Sequence, residues 1–251
     1  VEQKKGLGGY ALGDGKTGAS DKPKAAGIFP VAKSCPMADS TVLITLAGHA
    51  PSVDLLQWRA EEASLSIAVD GGWLAHRHAK VEPDVVLGDF DSCGDVSEIE
   101  KVFPRTAIER LPDQEHTDFE KALNWIMGKE TPAKIIILGG LGKRMDHSLS
   151  NLMIAGRVNP SVEIVFDDEH EHVRRITPQT PLSLKGRKGT SLSLLPMGAC
   201  EQVESIGLNW ELEKAEFSWD RMVSQSNQCA SDDVRITCKS GVLYSFVCKE
   251  A

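Results

Sequence analysis

The chain has 251 residues, 41% of them hydrophobic and 25% charged, enough to bury one large core or two modest ones. Its formal net charge of -8 argues against general nucleic-acid binding, and no apolar run reaches the length of a membrane span. On so acidic a chain an anionic ligand must be held locally, by a metal, backbone N–H groups or a few basic side chains.

Residues 1–40 are rich in Gly, Lys, Ala and Ser and read as an irregular arm. Gly15-Lys16-Thr17 resembles the end of a phosphate-binding P-loop, but Tyr10 stands where that loop needs its first glycine, and no buried strand precedes it. Val1 in place of an initiator methionine is read as a trimmed or processed start. The opening lacks the apolar segment of a secretory signal, and none of the six cysteines forms a C-x-x-C pair. A soluble cytoplasmic protein with reduced thiols is therefore expected.

From Thr41 the pattern changes. Thr41–Ala47 is a short β-branched run of the kind found in buried parallel strands. Ser52 caps an expected helix from Val53, and Leu65–Val69 and Val85–Leu87 read as strands. Thr117–Met127 reads as a helix, with Thr117 and Glu120 at capping-box spacing. Lys134–Leu138 is the next strand, Asp146–Ala155 a helix and Glu163–Phe166 a further strand. Alternating strands and helices imply a mostly parallel, Rossmann-like α/β sheet covered on both faces. Beyond Asp168 the helical signal fades. Leu182–Leu184, Ser191–Leu195, Val234–Cys238 and Tyr244–Val247 read as strands of a smaller antiparallel β domain. The expected organisation is thus an arm (1–40), an α/β catalytic domain (41–168) and a C-terminal β-sandwich (169–251).

Four polar clusters sit at or near expected strand ends, where α/β sheets place their ligands. Asp70-Gly71-Gly72 follows a strand; its glycines suit close ligand approach or simply a tight strand-to-helix turn. In Gly88-Asp89-Phe90-Asp91-Ser92, two carboxylates two residues apart project to one side of extended backbone. They fit either a magnesium ion bridging phosphate oxygens or a solvated acidic turn. In the segment 112–118, Asp118 falls in a first helical turn, where a carboxylate is favoured with or without a function. Gln114 offers both acceptor and donors from a loop, and His116 reads as a surface or supporting residue rather than a metal ligand. His76 and His78, two apart on a helix, cannot share a face and read as surface residues. Gly139-Gly140-Leu141-Gly142-Lys143-Arg144-Met145-Asp146-His147 joins a strand to a helix and presents backbone N–H groups and two bases to an anion. Carboxylates for a metal and a basic glycine loop for phosphates are the equipment of phosphoryl-type transfer.

These motifs, in this order and approximate spacing, resemble the thiamine pyrophosphokinase family: DGG, PDVVLGDFDS, PDQEHTDFEKAL and LGGLGKRMDHSLSNL. Gly207-Leu208-Asn209-Trp210 and Val223-Ser224-Gln225-Ser226-Asn227 also look like the family's thiamine-side motifs, so the resemblance covers about residues 41–248. It implies an N-terminal α/β domain, a C-terminal β-sandwich and a homodimer with the active site at the subunit interface. It implies Mg²⁺-dependent transfer of a diphosphoryl group from ATP to the hydroxyl of thiamine, giving thiamine diphosphate and AMP. Carried onto this sequence, it implies that Asp89, Asp91 and Asp118 bind the metal and that Asp70 and Asp146 complete the acidic site. Gly71, Gly72, Thr117, Gly140, Lys143 and Arg144 would then hold the nucleotide, with Thr117 and Gln114 positioning substrate. Ser226, Asn227 and Trp210 would lie on the thiamine side, although Trp210 fits a core position of the β domain equally well by its sequence pattern alone. Residues 1–40 match nothing recognised in the family, and the segment after Asn227 lacks an acidic residue that some members carry there. Two other readings keep part of this equipment: a kinase for another aromatic alcohol, and a nucleotide-binding regulator without turnover.

Overall fold

The computed structural model describes residues 40–90 and 96–249. The arm expected at 1–40 and the second acidic residue of GDFDS, Asp91, lie outside the described residues, apart from Ser40.

The first half alternates strands and helices. Strands β1 (Thr41–Thr45), β2 (Leu65–Val69), β3 (Val85–Gly88), β4 (Ala107–Arg110), β5 (Lys134–Leu138) and β6 (Glu163–Asp167) are joined through helices α1 (Val53–Glu62), α2 (Trp73–Ala79), α3 (Val96–Val102), α4 (Asp118–Lys129) and α5 (Met145–Gly156). All neighbouring pairs among these strands are parallel, in the order β6-β5-β1-β2-β3-β4. Alternate side chains divide between two cores. Val42, Ile44, Ile135 and Ile137 pack against Phe119, Leu123 and Leu152 of α4 and α5. Leu43, Ile136 and Leu138 pack against Leu55, Leu56 and Ala79 of α1 and α2. That double coverage is why the strands read as unbroken apolar runs. Two expected caps are present: Ser52 Oγ accepts from Leu55 N–H at 3.1 Å, and Thr117 Oγ1 accepts from Glu120 N–H at 3.2 Å.

The second half is built from β7 (Glu171–Ile176), β8 (Leu182–Lys185), β9 (Ser191–Pro196), β10 (Cys200–Ile206), β11 (Ala215–Phe217), β12 (Ser224–Gln228), β13 (Asp233–Thr237) and β14 (Leu243–Cys248). The strands β7, β14, β9 and β12 do not start a new sheet. They continue the first one through antiparallel pairing of β7 with β6, giving a single ten-stranded mixed sheet. A separate four-stranded sheet, β11-β10-β13-β8, closes over this extension. The core between them holds Leu192, Leu194, Leu243 and Val247 from one side and Leu182, Val203, Phe217, Val234 and Ile236 from the other.

The two halves are also joined by a buried cation. Arg175 of β7 is 2% exposed and donates to four backbone carbonyls: Ala155 (2.9 Å), Val158 (2.6 Å), Asn159 (2.8 Å) and Val162 (2.7 Å). These oxygens belong to the end of α5 and the turn into β6, where a helix leaves its carbonyls without intrahelical partners. Burial pushes the guanidinium pKa down to about 10, so it stays charged at neutral pH. Tyr244 of β14 donates to Leu152 O at 2.9 Å, tying the same helix to the sheet extension.

His76 is a correction to the sequence reading. It is fully buried, not on the surface, whereas His78 is exposed. Its Nδ1 lies 3.1 Å from Val81 O, which can only accept, so Nδ1 carries the proton and Nε2 accepts from Thr45 Oγ1 at 3.0 Å. Burial lowers its pKa to about 4, so it is neutral at ordinary pH. Spacing two apart separates two faces of a helix but does not say which face is covered. Among the described residues no helix is long and apolar enough to cross a membrane, and Cys200, Cys229, Cys238 and Cys248 are free thiols.

Candidate active site

The strand order reverses direction between β5 and β1, and a crevice opens at that point beyond the carboxyl ends of the strands. Two loops meet there backbone to backbone. Gly48 N–H donates to Gly139 O at 2.9 Å. Gly139 has φ +64, and a Cβ on it would fall 2.3 Å from Leu46 O, so only glycine fits.

The crevice is a cavity of about 530 Å³. Asp70, Thr117 and Asp118 line it together with Gly140, Lys143 and Arg144, so residues from three separate sequence motifs meet in one space. His147, Ser150 and Asn151 of α5 complete that wall. Asn151 Nδ2 donates to Gly140 O at 2.7 Å, and Ser148 Oγ accepts from Gly142 N–H at 3.1 Å, which pins the glycine loop to the helix. Lys143 Nζ donates to Ala47 O at 3.1 Å.

The backbone is strained where the motifs lie. Seven non-glycine residues among those described have positive φ, and four of them are Asp70, Phe90, Lys143 and Ser226. Each belongs to a different motif singled out from the sequence. Left-handed backbone at such residues persists only where the surroundings enforce it, and it concentrates at functional sites.

Asp89 reaches the cavity wall through Lys121. The ammonium of this α4 residue lies 2.9 Å from Asp118 Oδ1 and 3.3 Å from Asp89 Oδ2. Burial alone would lower the Lys121 pKa, but its bonds to Asp118 and then Asp89 outweigh that and raise it. The two carboxylates therefore already converge on one cation, which is what a divalent metal would require of them. Among the described residues, no group of three or more His, Cys, Asp or Glu side chains is arranged to hold a metal.

Other expected site residues lie elsewhere. Gly71 and Gly72 fall outside the cavity lining; Gly72 is buried so tightly that a Cβ would meet Thr45 O at 2.0 Å, which makes it part of the packing. Gln114 is exposed on the loop before α4. In that loop Asp113 accepts from Glu115 N–H at 2.8 Å and pairs with His116, which raises the His116 pKa. Asp146 is exposed and forms a two-point pair with Arg144, with Nη2 2.5 Å from Oδ2. That pair holds the Asp146 carboxyl down at about 2.

On the second half, Trp210 is 64% exposed, so it is not a core residue of the β domain. Asn227 is buried and its amide closes on the Trp210 backbone. Nδ2 donates to Trp210 O at 2.8 Å, and Oδ1 accepts from Trp210 N–H at 3.2 Å. Ser226 sits at an irregularity in the β12–β9 register and is exposed. Trp210, Ser226 and Asn227 thus form one local group, and none of them lines the cavity. Lys121, His147 and Asn151 fall inside the quoted motifs, but the sequence assigns them no role. For Lys121 the available signal was its position three residues after Asp118, on the same helix face.

The sequence model described as "Thiamin pyrophosphokinase, catalytic domain" matches residues 56–166, and "Thiamin pyrophosphokinase, vitamin B1 binding domain" matches residues 177–243. Thiamin pyrophosphokinase 1 of Caenorhabditis elegans is 28% identical over 197 residues, covering 73% of this chain and 79% of the relative. The crystal structure of thiamine pyrophosphokinase from Bacillus subtilis superposes with a TM-score of 0.71 at 24% identity, over 84% of this chain and all of that one. The yeast thiamin pyrophosphokinase structure gives 0.69 at 17% identity, over 88% of each chain. With both family domains matched in order across most of its length, the chain belongs to the thiamine pyrophosphokinase family.

Proposed function

We propose that this chain transfers the diphosphoryl group of ATP to the hydroxyl of thiamine. The thiamine oxygen bonds to the β-phosphorus, the bond from that phosphorus to the oxygen shared with the α-phosphate breaks, and AMP leaves as the hydroxyl proton is released. One observation carries the reading. Carboxylates (Asp70, Asp118) and bases (Lys143, Arg144) line a single cavity at the switch point of the sheet. The bases and the glycine loop suit the polyphosphate. Asp89 and Asp118 are the residues that would hold magnesium, in company with Asp91. When bound, the ion would neutralise charge on the phosphoryl oxygens. The chain's own part is to orient the triphosphate along the loop and to keep the two carboxylates together.

The test is AMP release from Mg²⁺-ATP, with and without thiamine. Thiamine-dependent AMP formation matched by thiamine diphosphate is the expected result. Release without thiamine, or none at all with folded protein, would overturn the assignment. Arg144→Ala should lower kcat/KM for ATP about tenfold, the scale of one charge-assisted contact, while changing the thiamine KM less.

The reading extends to a homodimer with a shared site. It is supported by the fact that Trp210, Ser226 and Asn227 do not line the cavity on one chain. It is also supported by exposed apolar side chains on α5 (Met145, Leu149, Met153) and on the segment before β12 (Trp219, Met222). In this arrangement Trp210 of one subunit offers its ring to the thiazolium or pyrimidine of thiamine held near Gln114 of the other. Trp210→Ala should raise the thiamine KM about tenfold with a smaller effect on ATP. A fully active monomer in sedimentation would dismiss the shared site and leave the phosphate chemistry intact.

A further inference from the structure

The acidic site carries its own cation. Asp118 stands in the first turn of α4, and Asp89 follows the end of β3, so their carboxylates come from two separate elements and share one cation. That cation is Lys121. Its Nζ bonds to both, and its side chain is only 6% exposed, an uncommon setting for a lysine. The residue belongs to the buried face of α4, together with Phe119, Ala122 and Leu123. Its stem is therefore packed, and the ammonium is held at the carboxylates rather than sampling solvent.

We infer that Lys121 is a positioning residue that stands in for the divalent ion between Asp89 and Asp118, and exchanges with it when the ion arrives. This rests on the reading of those two carboxylates as metal ligands. An approaching ion meets two carboxylates already partly neutralised, and must displace an ammonium from two charge-assisted hydrogen bonds. A bare ion has nothing to offer the displaced ammonium. An ion already complexed to ATP brings phosphate oxygens that accept it. Lys121 thus disfavours idle metal loading and couples productive loading to the nucleotide. Between visits it keeps two like charges from driving each other apart.

The test uses the full chain without nucleotide. Mn²⁺ is titrated in, and free ion is followed by electron paramagnetic resonance. Lys121→Met and Lys121→Gln should bind Mn²⁺ at least about tenfold more tightly than the wild type, because a nearby positive charge is gone. Lys121→Arg, which keeps the charge, should behave as the wild type does. Equal Mn²⁺ affinity in the wild type and both neutral variants would overturn the exchange while leaving the metal reading standing. No Mn²⁺ bound by any of the proteins would overturn both. A second readout needs no variant, and so decides the matter if the neutral variants do not fold. Acetylation of the Lys121 amine in the wild type, followed by mass spectrometry, should be slow without metal and several-fold faster at saturating Mn²⁺. An acetylation rate unchanged by Mn²⁺ would sink the proposal.

Discussion

Asp118→Asn is expected to lower turnover by at least about a hundredfold while leaving the melting temperature nearly unchanged. The substitution keeps the size of the side chain and its place in the first turn of α4, where Thr117 still caps the helix. What it removes is one of the two charges that converge beside the cavity. In a transfer that develops charge on phosphoryl oxygens, loss of a fixed carboxylate that organises the cation there acts on the transition state more than on binding. The measurement is kcat at saturating ATP and thiamine, with circular dichroism melting as the control for folding. Turnover within threefold of the wild type would remove Asp118 from the machinery. A collapse of the melting transition would instead mark it as structural.

Arg175→Ala should produce the largest loss of stability. The change withdraws the guanidinium donors from four carbonyl oxygens at the end of α5 and in the turn that follows it. Ala155 O and Asn159 O keep backbone donors in Val158 N–H and Val162 N–H, so Val158 O and Val162 O carry most of the loss. Water can reach some of them, but the site is buried, and each acceptor left unmet is worth about 1–3 kcal/mol. A loss of about 3 kcal/mol or more is expected, read as a shift in the urea midpoint at constant slope. Arg175→Lys keeps the charge but cannot fan out to four acceptors at once, so it should fall between the two. A midpoint moved no further than by an exposed substitution would show that the carbonyls find other partners.

The sequence made the central strands legible because both of their faces are covered. TVLIT and KIIIL each carry at least three consecutive apolar residues, Val42–Ile44 and Ile135–Leu138, so both faces are apolar and no alternation needs to be seen. β7 was missed for the opposite reason. Its sequence, EHVRRI, looks like a charged surface segment, and Arg175 becomes a core residue only because carbonyls 13 to 20 residues earlier in the chain surround it. β12, SQSNQ, has no apolar residue; its pairing with β9 and its register irregularity depend on the sheet around it. The short edge strand β4 and helix α3 carry too few residues for a period to emerge.

In the candidate site, Asp70, Thr117, Asp118, Lys143 and Arg144 were legible because motif order and strand ends limit where they can go. The residues that tie those loops together were not. Lys121 reads as a solvated helix residue until Asp89, 32 residues earlier in the chain, is placed beside it. Asn227 carries the chemistry of a ligand contact, yet its amide faces the Trp210 backbone. Nothing in a one-dimensional pattern distinguishes those two uses of an amide.

The passage of the main sheet from one half of the chain into the other bears on how the protein can be divided. β6 is an interior strand here, paired in parallel with β5 and antiparallel with β7. Cutting the chain after it would turn EIVFD into a bare edge, with buried apolar side chains and a row of unmatched N–H and C=O groups. Such an edge is a template for adding strands from other molecules. The catalytic half on its own would therefore be sticky rather than merely incomplete, and its solubility depends on the chain that follows as much as on its own surface.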